Sequence, residues 1–317
     1  MAVFTHVLAA DLTAILERFS LGKCLRLEGI SAGIENTNYF LDTQKNGDVT
    51  SWVLTVFENM AVSELPFFVD LTRHLAEQGL SVPAPLVDSS GRALFQLHGK
   101  DALIVPCLSG QAKDQVDLNN CFEVGRWLGS MHHAVGTFGG HRPLVRDLSW
   151  MQGKLNALRD SHIARDDLAL LERCVARYAD YRQQLDACPK GTVHGDLFKD
   201  NVLFEGGRVS GVIDFYHACT EGLLFDLAVC ANDWVTKSDG RYDRALMSSL
   251  LDGYKAEHAW SDQDEQAWPL FLELAALRFW ISRLASKYLA SYQQESVAGE
   301  TIKNPDEMRG ILEHLLA

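Results

Sequence analysis

Short apolar and β-branched runs at residues 27–30, 38–41 and 51–57 predict strands, punctuated by Gly29, Gly33 and the pair Asn46-Gly47. Asn-Gly between two such runs favours a two-residue hairpin turn, whose central residues both take positive φ. At residues 63–78 the period changes. Apolar side chains fall at 65, 68, 71 and 75, a helical spacing that stops at Gly79. Val82-Pro83-Ala84-Pro85 predicts a rigid, non-helical connector, and residues 92–96 and 102–106 predict two more strands. Beyond Gly110 the pattern turns helical. Residues 119–133 bring Phe122, Trp127, Leu128 and Met131 to or near one face, residues 155–185 predict helix, and residues 242–285 predict at least two more. A single β segment, residues 191–215, interrupts this half.

The expected architecture is α+β and bilobal. Residues 1–105 form a small lobe with a five-stranded antiparallel sheet, and residues 106–317 form a larger, mainly helical lobe. A chain of 317 residues is also long for one core.

Composition narrows the function classes. With 47% hydrophobic and 22% charged residues, the chain reads as an ordinary globular protein. Its formal net charge of −13, with no cluster of lysines and arginines, argues against nucleic acid or an anionic membrane as partner. The first nineteen residues lack a basic start and contain Asp11 and Glu17, unlike a signal peptide. The most apolar stretch, 268–285, holds Glu273, Arg278 and Arg283, unlike a membrane helix. Seven cysteines at irregular spacing, with no Cys-x-x-Cys, suggest reduced thiols and a cytoplasmic protein.

The candidate chemistry lies in the embedded β segment. It contains Val193-His194-Gly195-Asp196, then Asn201, then a strand, the turn Gly206-Gly207, and a second strand ending in Ile213-Asp214-Phe215. If Gly206-Gly207 is a two-residue loop, Glu205 faces Arg208, and counting outward sets Asn201 opposite Val212 with Asp214 just past the open end. A carboxamide oxygen and a carboxylate would then converge, enough protein oxygens for a magnesium ion. Asp196, on the loop entering the hairpin, would accept the proton of an attacking hydroxyl. This is the order of the kinase catalytic loop and metal-binding Asp-Phe, and it implies ATP and Mg2+.

These motifs, with Asp226-Leu227-Ala228, resemble the aminoglycoside phosphotransferase and choline kinase superfamily, small-molecule kinases with the protein-kinase fold. Residues 33–40, 53–58, 64–68, 193–204, 211–216, 225–228, 232–234 and 276–284 are together similar to its bacterial homoserine kinase branch. The resemblance implies transfer of the ATP γ-phosphoryl group to L-homoserine, a small-molecule substrate, in threonine biosynthesis. It also implies Asp196 as base, Asn201 and Asp214 as metal ligands, and Asp226 and His194 as supports of the catalytic loop. Choline, methylthioribose or an aminoglycoside are alternative acceptors, and an inactive nucleotide-binding scaffold is a further alternative.

Most kinases of this fold carry a lysine on the third strand, and here Thr55 takes its place, leaving the phosphate clamp unassigned. The turn with Gly33, Asn36, Thr37 and Asn38 is the expected phosphate-covering loop. The backbone of Val105 and Cys107, beside Pro106, is the expected adenine contact, with Pro106 unable to donate. A zwitterionic acceptor needs a cation for its carboxylate. Arg278, Arg283 and Asp233 are the substrate-binding candidates. The two arginines lie about 140° apart on a helix, so both cannot point at one ligand. An internal salt bridge to Glu273 or Asp233 is the other reading of either.

Overall fold

A computed structural model describes residues 3–31, 36–289 and 303–317. The chain divides into two compact units, with the boundary between Ser109 and Gly110.

The first unit is a five-stranded antiparallel sheet in the order β1-β2-β3-β5-β4. The strands are β1 (Lys23–Gly29), β2 (Asn36–Lys45), β3 (Asp48–Phe57), β4 (Phe95–Leu97) and β5 (Lys100–Pro106). The Asn46-Gly47 turn joins β2 to β3, with φ of 54° and 96°. Lys45 faces Asp48 across it, the two-residue hairpin expected from the sequence. Alternation decides the faces. Tyr39 and Leu41, Leu54 and Val56, Ala102 and Ile104, and Phe95 and Leu97 share one buried face. It is covered by a segment the strand pattern did not reveal, carrying Val7, Leu12, Ile15, Leu16 and Leu21 with α1 (Thr13–Arg18). Helix α2 (Leu65–Glu77) buries all four of the residues at 65, 68, 71 and 75 that carried its helical period.

The second unit is mainly helical: α3 (Leu118–Ala134), α4 (Leu148–Arg159), α5 (Arg165–Asp186), α6 (Leu224–Trp234), α7 (Arg244–Glu257), α8 (Asp262–Tyr288) and α9 (Pro305–Leu315). The long helix expected over 155–185 is two helices. The break at residues 160–164 is followed by a new start whose first turn carries Asp166 and Asp167, favourable beside the helix N-terminus. Helix α8 is buried along most of its length from Ala267 to Ala285 and is packed by α4, α5, α6 and α9.

Two two-stranded ribbons sit among these helices. β6 (Lys190–Val193) pairs with β9 (Cys219–Gly222), and β7 (Val202–Glu205) pairs with β8 (Arg208–Val212). The Gly206-Gly207 turn has φ of 57° and 81°, and Glu205 faces Arg208 as expected. The register further out differs by one residue. Val202, not Asn201, lies opposite Val212, because the pairing jumps from Val209 to Gly211 and leaves Ser210 as a β-bulge. An even count along a strand cannot foresee an inserted residue. The strand β9 was likewise not evident, since four residues ending in Glu-Gly carry no alternation.

Helices α3 and α7 cross unusually closely, which fixes the position of two residues that matter below. A Cβ at Gly253 would lie 2.0 Å from the carbonyl oxygen of Phe122, and one at Gly125 would lie 2.1 Å from that of Leu250. Both obstacles are backbone and cannot rotate away. Gly253→Ala should therefore destabilise the protein by about 1–3 kcal/mol, the range for overpacking, lowering the melting temperature by roughly 2–4 °C per kcal/mol. Gly153→Ala on α4, with open space around it, should instead raise stability by up to about 1 kcal/mol through helix propensity. If thermal melts show Gly253→Ala to be stabilising too, the close crossing is wrong.

Candidate active site

The loop after β6 is held mainly through its peptide groups. His194 N–H donates to Asp226 Oδ2 at 2.6 Å and Gly195 N–H donates to Asp226 Oδ1 at 2.7 Å. One fully buried carboxylate thus takes two consecutive amides. Asp233, seven residues on and so on nearly the same face of α6, accepts from Lys199 N–H at 2.7 Å. Trp234 Nε1 donates to Leu197 O at 3.2 Å. One helix therefore grips the loop at residues 194, 195, 197 and 199.

Behind Asp226 stands a relay that the sequence reading did not single out. His132 Nε2 lies 3.3 Å from Asp226 Oδ2, and His132 Nδ1 lies 2.9 Å from the Tyr254 hydroxyl. Both residues are buried. Burial holds the His132 pKa below its ordinary value, with Asp226 opposing. The neutral ring then donates from Nε2 to the carboxylate and accepts from the tyrosine. His132 is on α3 and Tyr254 on α7, so the close crossing of those helices brings them together. The only signal in the sequence was a histidine on an apolar helix face.

His194 is fully buried, and burial lowers its pKa. Its Nε2 lies 2.9 Å from Ile213 O, and its Nδ1 accepts from Asp196 N–H at 3.2 Å. Its ring packs on Phe215 with centroids 4.6 Å apart. The ring joins the loop to the far strand of the hairpin and has no nitrogen left for proton transfer.

Asp196 is the centre of the site. Asn201 Nδ2 donates to Asp196 O at 2.8 Å and to Asp196 Oδ2 at 3.2 Å. Ile213 N–H donates to Asn201 O at 3.0 Å, so the bulged hairpin still sets Asn201 beside the residue preceding Asp214. Asp214 adopts the left-handed conformation, φ 66° and ψ 61°, which aspartate tolerates better than most residues and which marks functional turns. Burial, and next the charge of Asp214, push the Asp196 pKa well above the carboxylate range, while Lys303 and Arg146 oppose. The charge of Asp214 is thus felt at Asp196. That arrangement fits a divalent cation, and Asn201, its amide nitrogen committed to Asp196, has its carbonyl oxygen for such an ion.

The expected acceptor-binding residues have internal partners. Arg278 Nη2 donates to Glu221 at 2.8 Å, and its guanidinium stacks 4.0 Å from the Phe225 ring centroid. Its buried Nε has no hydrogen-bond partner among the described residues. Arg283 Nη1 donates to Glu307 at 2.8 Å and to Asn304 O at 2.7 Å. Glu273 pairs with Arg177 instead.

In the first unit, Asn36 and Asn38 share a sheet face with Thr55, whose hydroxyl donates to Asn38 Oδ1 at 2.8 Å. Thr37 lies on the opposite face, fully enclosed. Its hydroxyl donates to Glu58 at 2.6 Å and accepts from the Phe4 and Thr5 amides. Cys107 N–H donates to Ser51 O at 3.1 Å, so this residue offers a ligand its carbonyl only. Gly33 lies outside the described residues.

The phosphotransferase enzyme family model matches residues 26–260. The chain belongs to that family, and within it to the branch of its homoserine kinase relatives. It is 39% identical to the homoserine kinase of Methylobacillus flagellatus, covering 100% of this chain and 96% of that one. It is 37% identical to that of Neisseria meningitidis serogroup B, covering 98% and 99%. The fold is that of amicoumacin kinase, solved with AMP-PNP, Ca2+ and amicoumacin, at TM-score 0.70 and 16% identity over 96% and 92% of the two chains. A choline/ethanolamine kinase family protein from Mesorhizobium loti matches at TM-score 0.61 and 16% identity, over 92% and 87%.

Two outcomes follow from this site. Asp226→Asn would turn a donor toward one of the two amides, and should destabilise the protein by about 1–3 kcal/mol, the range for an unsatisfied buried group. A melt within 1 °C of the parent protein would contradict the role given to Asp226. The pKa values of His132, His194 and His217 are all depressed, that of His217 to about 3. The unfolded chain therefore binds protons that the folded one refuses. Stability is complete above the ordinary histidine pKa of about 6.5 and falls as pH drops below it. Urea melts at pH 7.0, 6.0 and 5.0 should show a stepwise loss, and a flat profile would count against three neutral rings.

Proposed function

We propose that this protein is a homoserine kinase, transferring the γ-phosphoryl group of ATP to the side-chain hydroxyl of L-homoserine to give O-phospho-L-homoserine and ADP. The observation that carries the reading is Asp196, a carboxylate aimed by Asn201 and made unusually basic by burial and by Asp214. Its companion is identity of 36–40% with curated homoserine kinases along nearly the whole chain. Asp196 takes the acceptor hydroxyl proton as the new O–P bond forms and the bond to the ADP oxygen breaks. A raised pKa, with burial as its first cause, suits that task. Asn201 fixes the base, while Asp226 and His194 hold the loop that bears it.

Asn201 and Asp214 would hold Mg2+, which when bound neutralises phosphate charge. For ATP we assign the amide side chains of Asn36 and Asn38, the backbone at Gly33 and Thr37, Val105, and the Cys107 carbonyl. Arg278, paired with Glu221 and stacked on Phe225, supports the acceptor site from behind. Arg283 and Asp233 support that site by tying α9 and the catalytic loop in place. No helix among the described residues is long and apolar enough to cross a membrane. We place the enzyme in the cytoplasm on its reduced cysteines.

The test is ADP release with L-homoserine, choline, methylthioribose, kanamycin or no acceptor. Homoserine should dominate, and a faster rate with another acceptor would sink the assignment. Asp196→Asn should lower turnover by at least about 10² with nucleotide affinity nearly unchanged. Because it removes a desolvated charge facing Asp214, it should leave the melting temperature unchanged or higher. Near-normal turnover in a stable variant would remove Asp196 as the base.

A further inference from the structure

The acceptor assigned above has an α-carboxylate, and the site around Asp196 and Asp214 would repel it unless a cation faces it. Three arginines or lysines already discussed do not supply a surplus charge. Arg278 is matched by Glu221 and Arg283 by Glu307. Lys303 pairs with Asp200 at 3.2 Å and lies over the Phe198 ring.

Arg146 differs from all three. It is half-buried, and among the described residues it donates no hydrogen bond and makes no ion pair. Its backbone is nevertheless well fixed. Thr220 N–H, on β9, donates to Arg142 O at 2.8 Å, and Arg142 Nη1 donates to Ala218 O at 3.0 Å. Leu144 packs against Val193, Cys219 and Leu223, the apolar cluster directly before His194-Gly195-Asp196. Asp147 then caps α4, accepting from Trp150 N–H at 2.9 Å. Arg146 is thus held between two anchored points, next to the strand pair that carries the base, with its guanidinium unmatched among the described residues. A half-buried guanidinium has lost part of its hydration and gains most from a planar, bidentate carboxylate.

We propose that Arg146 binds the α-carboxylate of the amino-acid acceptor and is the residue that selects an amino acid over a plain amino alcohol. This deepens the homoserine kinase reading and rests on it. Its electrostatic reach agrees. Arg146 lowers the Asp196 pKa and helps hold His217 neutral, so its charge is felt at the base.

The experiment compares L-homoserine with 3-amino-1-propanol, the same chain without the carboxylate, for the parent protein, Arg146→Ala and Arg146→Lys. Arg146→Ala should lower kcat/KM for L-homoserine by about 10- to 100-fold, mostly through KM, the worth of a hydrogen-bonded charge contact. It should leave kcat/KM for 3-amino-1-propanol and KM for ATP within about 2-fold. Arg146→Lys should recover part of the loss, keeping the charge without the fork. As a readout independent of turnover, inhibition by L-2-aminobutyrate should weaken by a similar factor in Arg146→Ala. An equal fall with both acceptors would make Arg146 structural, and a raised KM for ATP would make it a phosphate contact. Either result overturns the inference while leaving the kinase assignment standing. If the parent protein itself does not use L-homoserine, the functional reading fails first, and this inference with it.

Discussion

A single buried carboxylate, Asp226, sets the geometry on which the site depends. It takes the N–H groups of two consecutive residues, His194 and Gly195, at the point where the chain leaves β6. Two amides pointing at one carboxylate leave the following residue little freedom, so Asp196 is aimed by its neighbours' backbone. A buried carboxylate is tolerable only when its oxygens are satisfied. Here His132 adds a third contact, itself backed by Tyr254. The α3–α7 crossing matters to chemistry for this reason. It brings the histidine to the tyrosine, the histidine satisfies the carboxylate, and the carboxylate shapes the loop.

The same site is built against its own stability. Asp196 is desolvated beside the charge of Asp214, Asp214 sits in left-handed backbone, and three histidines have pKa values held below the ordinary one. Each feature works against the fold in isolation. In the function proposed here this is where a proton would leave the acceptor hydroxyl and a cation would be held, and so where stability and activity are expected to oppose each other.

How much of this was legible in the sequence depended on whether the signal was local. The Asn46-Gly47 and Gly206-Gly207 turns were readable because positive φ has a short list of tolerant residues. The face of α2 was readable because its period is strict. The loop of His194, Gly195, Asp196 and Asn201 stood out because its residue types and spacing are unusual together. The bulge at Ser210 was not, since an extra residue leaves no mark on hydrophobic alternation. The partners of Arg278 and Arg283 were not, because Glu221 and Glu307 lie 57 and 24 residues away in the chain. Thr37 beside Asn36 and Asn38 looked like one polar loop, yet strand alternation sends its hydroxyl into the opposite face toward Glu58. The His132–Tyr254 pair joins two helices whose meeting is a tertiary fact.

Thr55 at the place of the usual strand lysine has a consequence for how charge is handled. Its hydroxyl is committed to Asn38, and the lysine of the neighbouring strand, Lys100, pairs with Glu58 on the other face of the sheet. The nucleotide-facing side proposed for the first unit therefore offers amides and backbone groups, and the cation on that face, Arg26, is already paired with Glu28 and Asp42. A triphosphate must still be neutralised for transfer to proceed. In a chain of net charge −13 the task falls to the ion that Asn201 and Asp214 would hold. Without a strand lysine to share the load, nucleotide binding here should be more strictly tied to that metal than in kinases that have one.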